Sequence, residues 1–232
     1  MARRRLAPEQ PMPWTDRQAL HHFVRLPVET GMIQYLAQQV PAEAQCVGLQ
    51  QSRPGETLPP PALDRFIHSL YRAAVVGVGT LMASLVYLAR IRKALQHTAE
   101  GGPLSPHGIF LGSLILAAKV LNDCSPGNQC WAQYSSMREE DSEVFGFRLL
   151  DVNRIERDLL VLLDFDVLIT EVDLFHHFEP FLLPIRTKME AALGAIQVTS
   201  GLKRKRIEIE VEDKRKTPKR RTKAKVKSVS HA

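Results

Sequence analysis

The sequence predicts an all-α fold, and three observations support this prediction. Apolar residues recur at helical spacing almost throughout the chain, whereas no convincing run of strict alternation is found. Proline, glycine and small polar residues separate the periodic segments into short helices. With 232 residues, 44% of them hydrophobic, the chain can bury one good core. We therefore expect a single helical domain at residues 59–186, between flanking segments 1–58 and 187–232.

Two shorter helices are predicted ahead of this domain. Asp16–Val24 and Pro27–Val40 meet at Pro27, and residues 41–58 are interpreted as a linker. The sequence is compatible both with packing of these helices on the domain and with packing on a partner. Their apolar residues are Phe23, Met32, Ile33, Tyr35 and Leu36.

Prolines and glycines delimit the first two helices of the domain. Pro59–Pro61 suit an extended approach and a helical first turn, and Gly77–Gly79 separates the two helices. Thr80 is predicted to cap the second helix, which ends in basic residues. The apolar faces consist of Leu63, Phe66, Ile67, Leu70 and Ala74 in the first helix and of Leu81, Met82, Leu85, Leu88 and Ala89 in the second.

The third helix is predicted to be the centre of the domain. Ser105 and Pro106 have the preferences of an N-cap and a first helical position, and Ile109–Leu121 is apolar nearly all round. A helix without a polar face must be surrounded by other helices. Ser125–Asn128 is typical of a turn, and Glu139–Glu143 is interpreted as a solvated connection.

Two further helices complete the predicted domain. Thr170–Asp173 resembles a capping box with aspartate in the usual glutamate position, and it opens a fifth helix whose length Pro180 and Pro184 are expected to limit. The residues at helical spacing are Val152, Ile155, Leu159, Leu162 and Leu163 in the fourth helix and Leu174, Phe175, Phe178 and Phe181 in the fifth.

Two charged residues interrupt this apolar pattern. Lys119 closes the third helix, and Glu156 lies at the margin of the apolar stripe of the fourth. Charges beside a core are paired, hydrogen-bonded or turned towards a binding site, because an isolated buried ion is very unfavourable. We therefore expect Lys119 and Glu156 to belong to a docking surface. The alternative is a lysine that extends into water near a helix C-terminus, with a solvated glutamate.

Charge and cysteine content restrict the classes of function. The net charge is +6, but residues 203–232 hold thirteen Lys and Arg against four Asp and Glu, so the remainder carries −3. The body of the chain, residues 1–202, is therefore a poor candidate for binding a phosphate backbone.

Cys46, Cys124 and Cys130 lack metal-ligand spacing and suit a reducing compartment. Without a signal sequence or an apolar run of about 20 residues, we expect a soluble intracellular protein.

Motifs for catalysis are not found in the sequence. It has no glycine-rich phosphate loop, no nucleophile elbow and no His-Glu-x-x-His helix. His21–His22 and His176–His177 are adjacent pairs that point in different directions on a helix, and Trp131 is predicted to pack rather than to stack on a ligand. We expect neither an enzyme nor a cofactor or metal site.

Four stretches of the chain resemble the cyclin box and, among cyclins, the fungal G1/S cyclins of the PCL/Pho80-like group. They are Phe110–Asp123, Trp131, Val152–Glu156 and Leu163–Val167, and the likeness extends over roughly residues 15–185. The resemblance implies a single five-helix cyclin box. It also implies a regulatory subunit that binds and activates a cyclin-dependent serine/threonine kinase, in G1/S cell-cycle or nutrient-linked control.

The resemblance further implies which residues meet the kinase. In cyclins a lysine and a glutamate at these positions form the contact pair, here Lys119 and Glu156, and apolar contacts carry over to Val120, Phe165 and Val167. Val120 stands where many cyclins have a larger aromatic residue. The first helix lacks the Met-Arg-Ala-Ile-Leu-type motif of two-box cyclins, so we expect neither that substrate-docking patch nor a second five-helix repeat.

Residues 187–232 are predicted to be a basic, mostly disordered tail, which suggests two further features. Its two cationic runs are candidate nuclear-import signals for an importin, or solvated charge without a partner. Thr217, before Pro218, forms a proline-directed kinase site, and its phosphorylation would reduce importin recognition. We expect the protein in both nucleus and cytoplasm. The runs contain Lys203, Arg204, Lys205 and Arg206, and Lys219, Arg220 and Arg221.

Two other classes of function are compatible with the pattern. One is a cyclin-fold nucleic-acid-binding transcription adaptor that places the basic tail on DNA, and the other is a helical scaffold without a kinase. The charge of −3 on the body argues against the first. Neither a membrane nor a specific nucleic acid is expected as a partner.

Overall fold

The following description comes from a computed structural model and covers residues 14–41, 60–96, 104–139, 142–189 and 191. Contacts along the chain divide it into two units, Met1–Arg186 and Thr187–Ala232, and the site described below lies in the first. The predicted all-α fold is confirmed, with one short β-hairpin added. The elements are α1 (Trp14–Phe23), α2 (Thr30–Gln39), α3 (Leu63–Ala74), α4 (Val78–Leu95), α5 (Pro106–Leu121), α6 (Asn128–Tyr134), β1 (Met137–Glu139), β2 (Ser142–Phe145) and α7 (Leu149–Leu162), followed by α8 at residues 171–189.

Helix α5 occupies the centre of the domain, as predicted. All its residues from His107 to Ala118 are buried, and α4 and α7 pack against it. The Ser105 side chain accepts a hydrogen bond from the Gly108 amide at 3.1 Å, which confirms the predicted N-cap. Helix α5 can be apolar nearly all round because α3, α4 and α7 all pack against it.

Helix α3 buries the predicted face, and the start of α4 differs from the prediction. Phe66, Ile67 and Leu70 are buried in α3. Gly77, not Thr80, is the N-cap of α4: it is extended, and its carbonyl accepts the first helical hydrogen bond from Leu81 at 3.0 Å. The predicted cap at Thr80 is wrong because the helix begins at Val78, three residues earlier than such a cap implies, which leaves Thr80 buried inside it.

The connection between α5 and α7 contains structure that the sequence did not reveal. The chain turns after α5, but Asn128 already begins α6, in which Trp131 is buried and donates through Nε1 to the Pro126 carbonyl at 3.0 Å. Strands β1 and β2 pair antiparallel, with Glu139 opposite Ser142. The solvated connection expected at Glu139–Glu143 is therefore partly a hairpin, whose strands are too short to show a clear alternation.

Helices α7 and α8 confirm two predictions. Val152, Ile155 and Leu159 are buried in α7. The predicted capping box is present at the start of α8, since the Asp173 amide donates to Thr170 Oγ1 at 3.2 Å and the Thr170 amide to Asp173 Oδ2 at 2.8 Å.

The expectation that prolines end the fifth helix is wrong. Residues 171–189 are helical, and the helix therefore continues through both Pro180 and Pro184, which lie on its exposed side. Phe178 and Leu182 are buried on the inner side of the same helix. Their packing compensates for the backbone hydrogen bonds that the two prolines cannot donate.

The two N-terminal helices pack on the domain. Phe23 of α1 lies against Phe178 and Phe181, with ring centroids 5.3 and 5.5 Å apart, and Tyr35 of α2 contacts Phe181 at 5.2 Å. Arg186 also pairs with Asp16 at 2.8 Å. Of the two packing modes left open by the sequence, the structure therefore has the one on the domain.

The sequence also led to predictions for the cysteines, for the basic tail and for membrane-spanning helices. Cys124 is exposed and Cys130 half-buried, both as free thiols, whereas Cys46 and the tail residues lie outside the described part of the chain. In the ranges described above, none of the helices combines the length and the apolar character needed to cross a bilayer.

Candidate functional site

The structure brings Lys119 and Glu156 together. The ammonium of Lys119, in the last turn of α5, lies 2.5 Å from Glu156 Oε1 in the middle of α7. The side chains are 36% and 16% exposed, so the pair sits at the rim of the core rather than inside it. Opposite charges from neighbouring helices therefore meet at the surface, as the sequence predicts. Their contact with a kinase stays a prediction.

Asn128, the first residue of α6, completes this group. Its Oδ1 accepts from Lys119 Nζ at 3.0 Å, and its Nδ2 donates to Glu156 Oε2 at 2.6 Å and to Asn153 Oδ1 at 2.8 Å. Both carboxylate oxygens of Glu156 are thereby bound. We call Lys119, Asn128, Asn153 and Glu156 the polar cluster. Sequence reasoning missed Asn128 because Pro126-Gly127-Asn128 is typical of a turn.

The geometry of the polar cluster suits recognition of another protein. A lysine ammonium has three N–H donors, and the contacts given above use two of them. The third can be offered to a partner without breaking the cluster. Val120 and Leu121, the next residues of α5, are about two-fifths exposed, at 40% and 41%. A fixed charge beside exposed apolar side chains is typical of protein interfaces.

The other two predicted contacts lie in the loop that follows α7. Phe165 is 66% exposed, and Val167 is half-buried. Asp164 and Phe165 both have left-handed backbone conformations, with φ of 49° and 57°. For a residue other than glycine this conformation costs about 1–2 kcal/mol. The loop from Leu163 to Thr170, here called the αL loop, is therefore held in an unfavourable conformation with an aromatic ring in water.

Side chains of α4 bind the backbone of the αL loop. Tyr87 donates to the Val167 carbonyl at 2.6 Å, and Arg90 donates to the carbonyls of Asp166 and Leu168, both at 2.8 Å. Burial raises the pKa of Tyr87 to about 12, so its hydroxyl keeps the donated proton at any physiological pH. Sequence reasoning missed this role because basic residues near the end of a helix are also typical of an ordinary helix C-terminus.

Metal ligation finds no support among the described residues. No group of three or more His, Cys, Asp or Glu side chains in the described part of the chain could hold a metal ion. His176 and His177 contact each other edge to face, with ring centroids 4.9 Å apart. The arrangement of the polar cluster and the αL loop is suited to binding a protein surface.

The chain is similar in sequence to known cyclins. The cyclin family model matches residues 62–167, which include the polar cluster and most of the αL loop. Over 173 residues the chain is 41% identical to PHO85 cyclin-2 of Saccharomyces cerevisiae, covering 74% of this chain and 53% of that protein. It is 37% identical to PHO85 cyclin-9 and 35% identical to PHO85 cyclin-1 of the same yeast, covering 54% and 59% of their lengths. The chain thus spans about half the length of the curated relatives it matches.

Proposed function

The chain belongs to the cyclin family, and from this premise we propose that it is the regulatory subunit of a cyclin-dependent serine/threonine kinase of the PHO85 kind. The relatives are named as cyclins of PHO85. The observation that carries the proposal is the polar cluster, in which Lys119 and Glu156 meet at 2.5 Å; the resemblance to cyclins implies that these two residues form the kinase contact pair. The chain would act by binding and would contribute no catalytic group of its own.

The proposed mechanism is a shift between two kinase conformations. A cyclin that binds one arrangement of the kinase more tightly raises its population, here the one in which a kinase helix presents the glutamate that pairs with the catalytic lysine. Moving this equilibrium from 1:99 to 99:1 takes about 5.5 kcal/mol of differential binding. An interface of about 1,600 Å² can supply that much, and the exposed Val120, Leu121 and Phe165 extend the apolar surface around the polar cluster.

Replacing Glu156 tests this proposal. We expect Glu156→Ala to weaken the affinity for purified PHO85 by at least about 2 kcal/mol, because the Lys119 ammonium loses its counter-charge in a surface that the kinase covers. The domain should stay folded, since a partly exposed ion pair contributes at most about 1 kcal/mol to stability. Affinity is measured by titration calorimetry, and folding by circular dichroism.

Asp158→Ala is the matched control. Asp158 is also a carboxylate of α7, and it pairs with Arg154 at 3.4 Å on the same helix. Its removal should leave the affinity for PHO85 near the wild-type value. A folded Glu156→Ala protein that binds as tightly as the wild type would refute the role of the polar cluster.

We further propose that the tail directs the protein between nucleus and cytoplasm. Support comes from sequence alone: the runs Lys203–Arg206 and Lys219–Arg221 fit importin recognition, and Thr217-Pro218 lies directly before the second run. The bound kinase would phosphorylate Thr217, and the added negative charge would weaken importin binding. Control of the cell cycle or of the response to nutrients would follow from the kinase that is bound.

Fluorescently tagged variants in yeast test the role of Thr217. We expect Thr217→Glu to move the protein towards the cytoplasm and Thr217→Ala to retain it in the nucleus. Thr222→Ala, which alters a threonine of the same tail that no proline follows, serves as the control. Persistently nuclear Thr217→Glu protein would contradict the proposal.

A further inference from the structure

The αL loop combines backbone strain with exposure of a large apolar ring. Asp164 and Phe165 both have positive φ, and the Phe165 side chain is largely exposed. Burial in its own domain therefore cannot be the reason for this conformation. Such strain persists where the surrounding structure enforces it, and it is concentrated at functional sites.

The amides of Asp164 and Phe165 donate to backbone carbonyls at the end of α7, and the residues that follow them are anchored from α4 by Tyr87 and Arg90. Tyr87 and Arg90 lie three residues apart on one helix and together bind three successive carbonyls of the loop, those of Asp166, Val167 and Leu168. Arg90 also contacts Asp173 Oδ2 at 3.2 Å, which is the carboxylate that caps α8. Arg90 thereby links the second half of the αL loop to the start of α8.

The anchor itself is rigid. Tyr87 is fully buried, as are most of its neighbours in α4. Arg90 offers a planar fork of donors, which suits two carbonyls better than a single ammonium would. The position of the loop is consequently fixed relative to the core of the domain.

We propose that Tyr87 and Arg90 are positioning residues for kinase binding, which hold the αL loop so that Phe165 and Val167 are presented before the kinase arrives. This inference rests on the proposed function. The apparent affinity for a ligand is proportional to the fraction of protein molecules that have the competent conformation. The two side chains would thus act on affinity through Phe165, without touching the kinase themselves.

Affinity measurements with PHO85 test the inference. We expect Tyr87→Phe and Arg90→Gln each to bind about tenfold more weakly, as they would if the competent population fell to about a tenth. Hydrogen exchange of the amides of residues 164–168 should become faster in both variants, while the thermal midpoint stays near the wild-type value. Arg17→Gln, which breaks an ion pair to Glu171 at 2.8 Å instead, should bind as the wild type does.

A double-mutant cycle separates positioning from a merely structural role. Phe165→Ala should weaken binding clearly in the wild-type background and much less in the Arg90→Gln background, because the ring is no longer held in place there. Arg90→Lys keeps the charge without the fork and should resemble Arg90→Gln.

Two outcomes would contradict the inference alone, and a third would contradict the proposed function as well. Wild-type affinity in both α4 variants, or equal losses from Phe165→Ala in both backgrounds, would overturn the inference while kinase binding by the wild type stands. A wild-type protein that does not bind PHO85 would overturn the proposed function, and this inference with it.

Discussion

At Gly112 the absence of a single carbon atom determines how closely α5 and α7 approach. A β-carbon there would lie 2.7 Å from Ile155 Cγ2 and closer still to Leu159 Cδ1. Both of these side chains are fully buried, so neither can move into solvent. Because Lys119 and Glu156 are carried by the same two helices, their approach depends on this glycine.

Gly112→Ala should therefore destabilise the domain by about 1–3 kcal/mol, through overpacking of the helix contact. Gly31→Ala is the control, since Gly31 lies in α2 with no heavy atom within 4 Å of a new β-carbon. That substitution should leave stability unchanged or raise it slightly, because alanine favours a helix more than glycine does. Urea unfolding measures both, and equal effects at the two positions would contradict the proposed clash.

Among single residues, chemistry was easier to predict than geometry. Lys119 and Glu156 stood out because charges interrupt an apolar pattern, and the structure does pair them. Asn128 and Tyr87 carried no comparable signal, since an asparagine after Pro-Gly and a tyrosine in an apolar helix are both ordinary. Their roles depend on partners 28 and 80 residues away, which spacing along the chain cannot reveal.

At the level of elements, the sequence was informative wherever local chemistry decides the structure. The N-cap at Ser105 and the capping box at Thr170 were predicted correctly, because their hydrogen bonds join residues three apart. Helix α6 was missed because it has only seven residues and is held by the buried Trp131. The continuation of α8 through Pro180 was missed because packing of Phe178 and Leu182, rather than local preference, maintains the helix.

For the molecule as a whole, charge separates along the chain. Residues 203–232 carry a surplus of nine positive charges, and the remainder carries −3. The basic tail and the kinase-binding surface that we propose therefore lie in different parts of the chain. This difference allows the competing function, a nucleic-acid adaptor, to be tested by truncation.

We expect full-length protein to bind nonspecific DNA only weakly, with an affinity that falls steeply as salt rises. Truncation after Gly201 should abolish this binding and leave the affinity for PHO85 intact. Fluorescence anisotropy at several salt concentrations measures the first effect. DNA binding retained by the truncated protein would instead favour an adaptor that uses the helical body.

The enclosure of α5 has a consequence for the lifetime of the protein. Since all residues from His107 to Ala118 are buried, an intermediate that frees this helix would aggregate rather than stay in solution. Partial opening would expose a mostly apolar helix of the kind that chaperones bind and proteases degrade. The domain should accordingly unfold in a single cooperative step. In the cell it would then be present either as folded protein or as unfolded protein that is degraded.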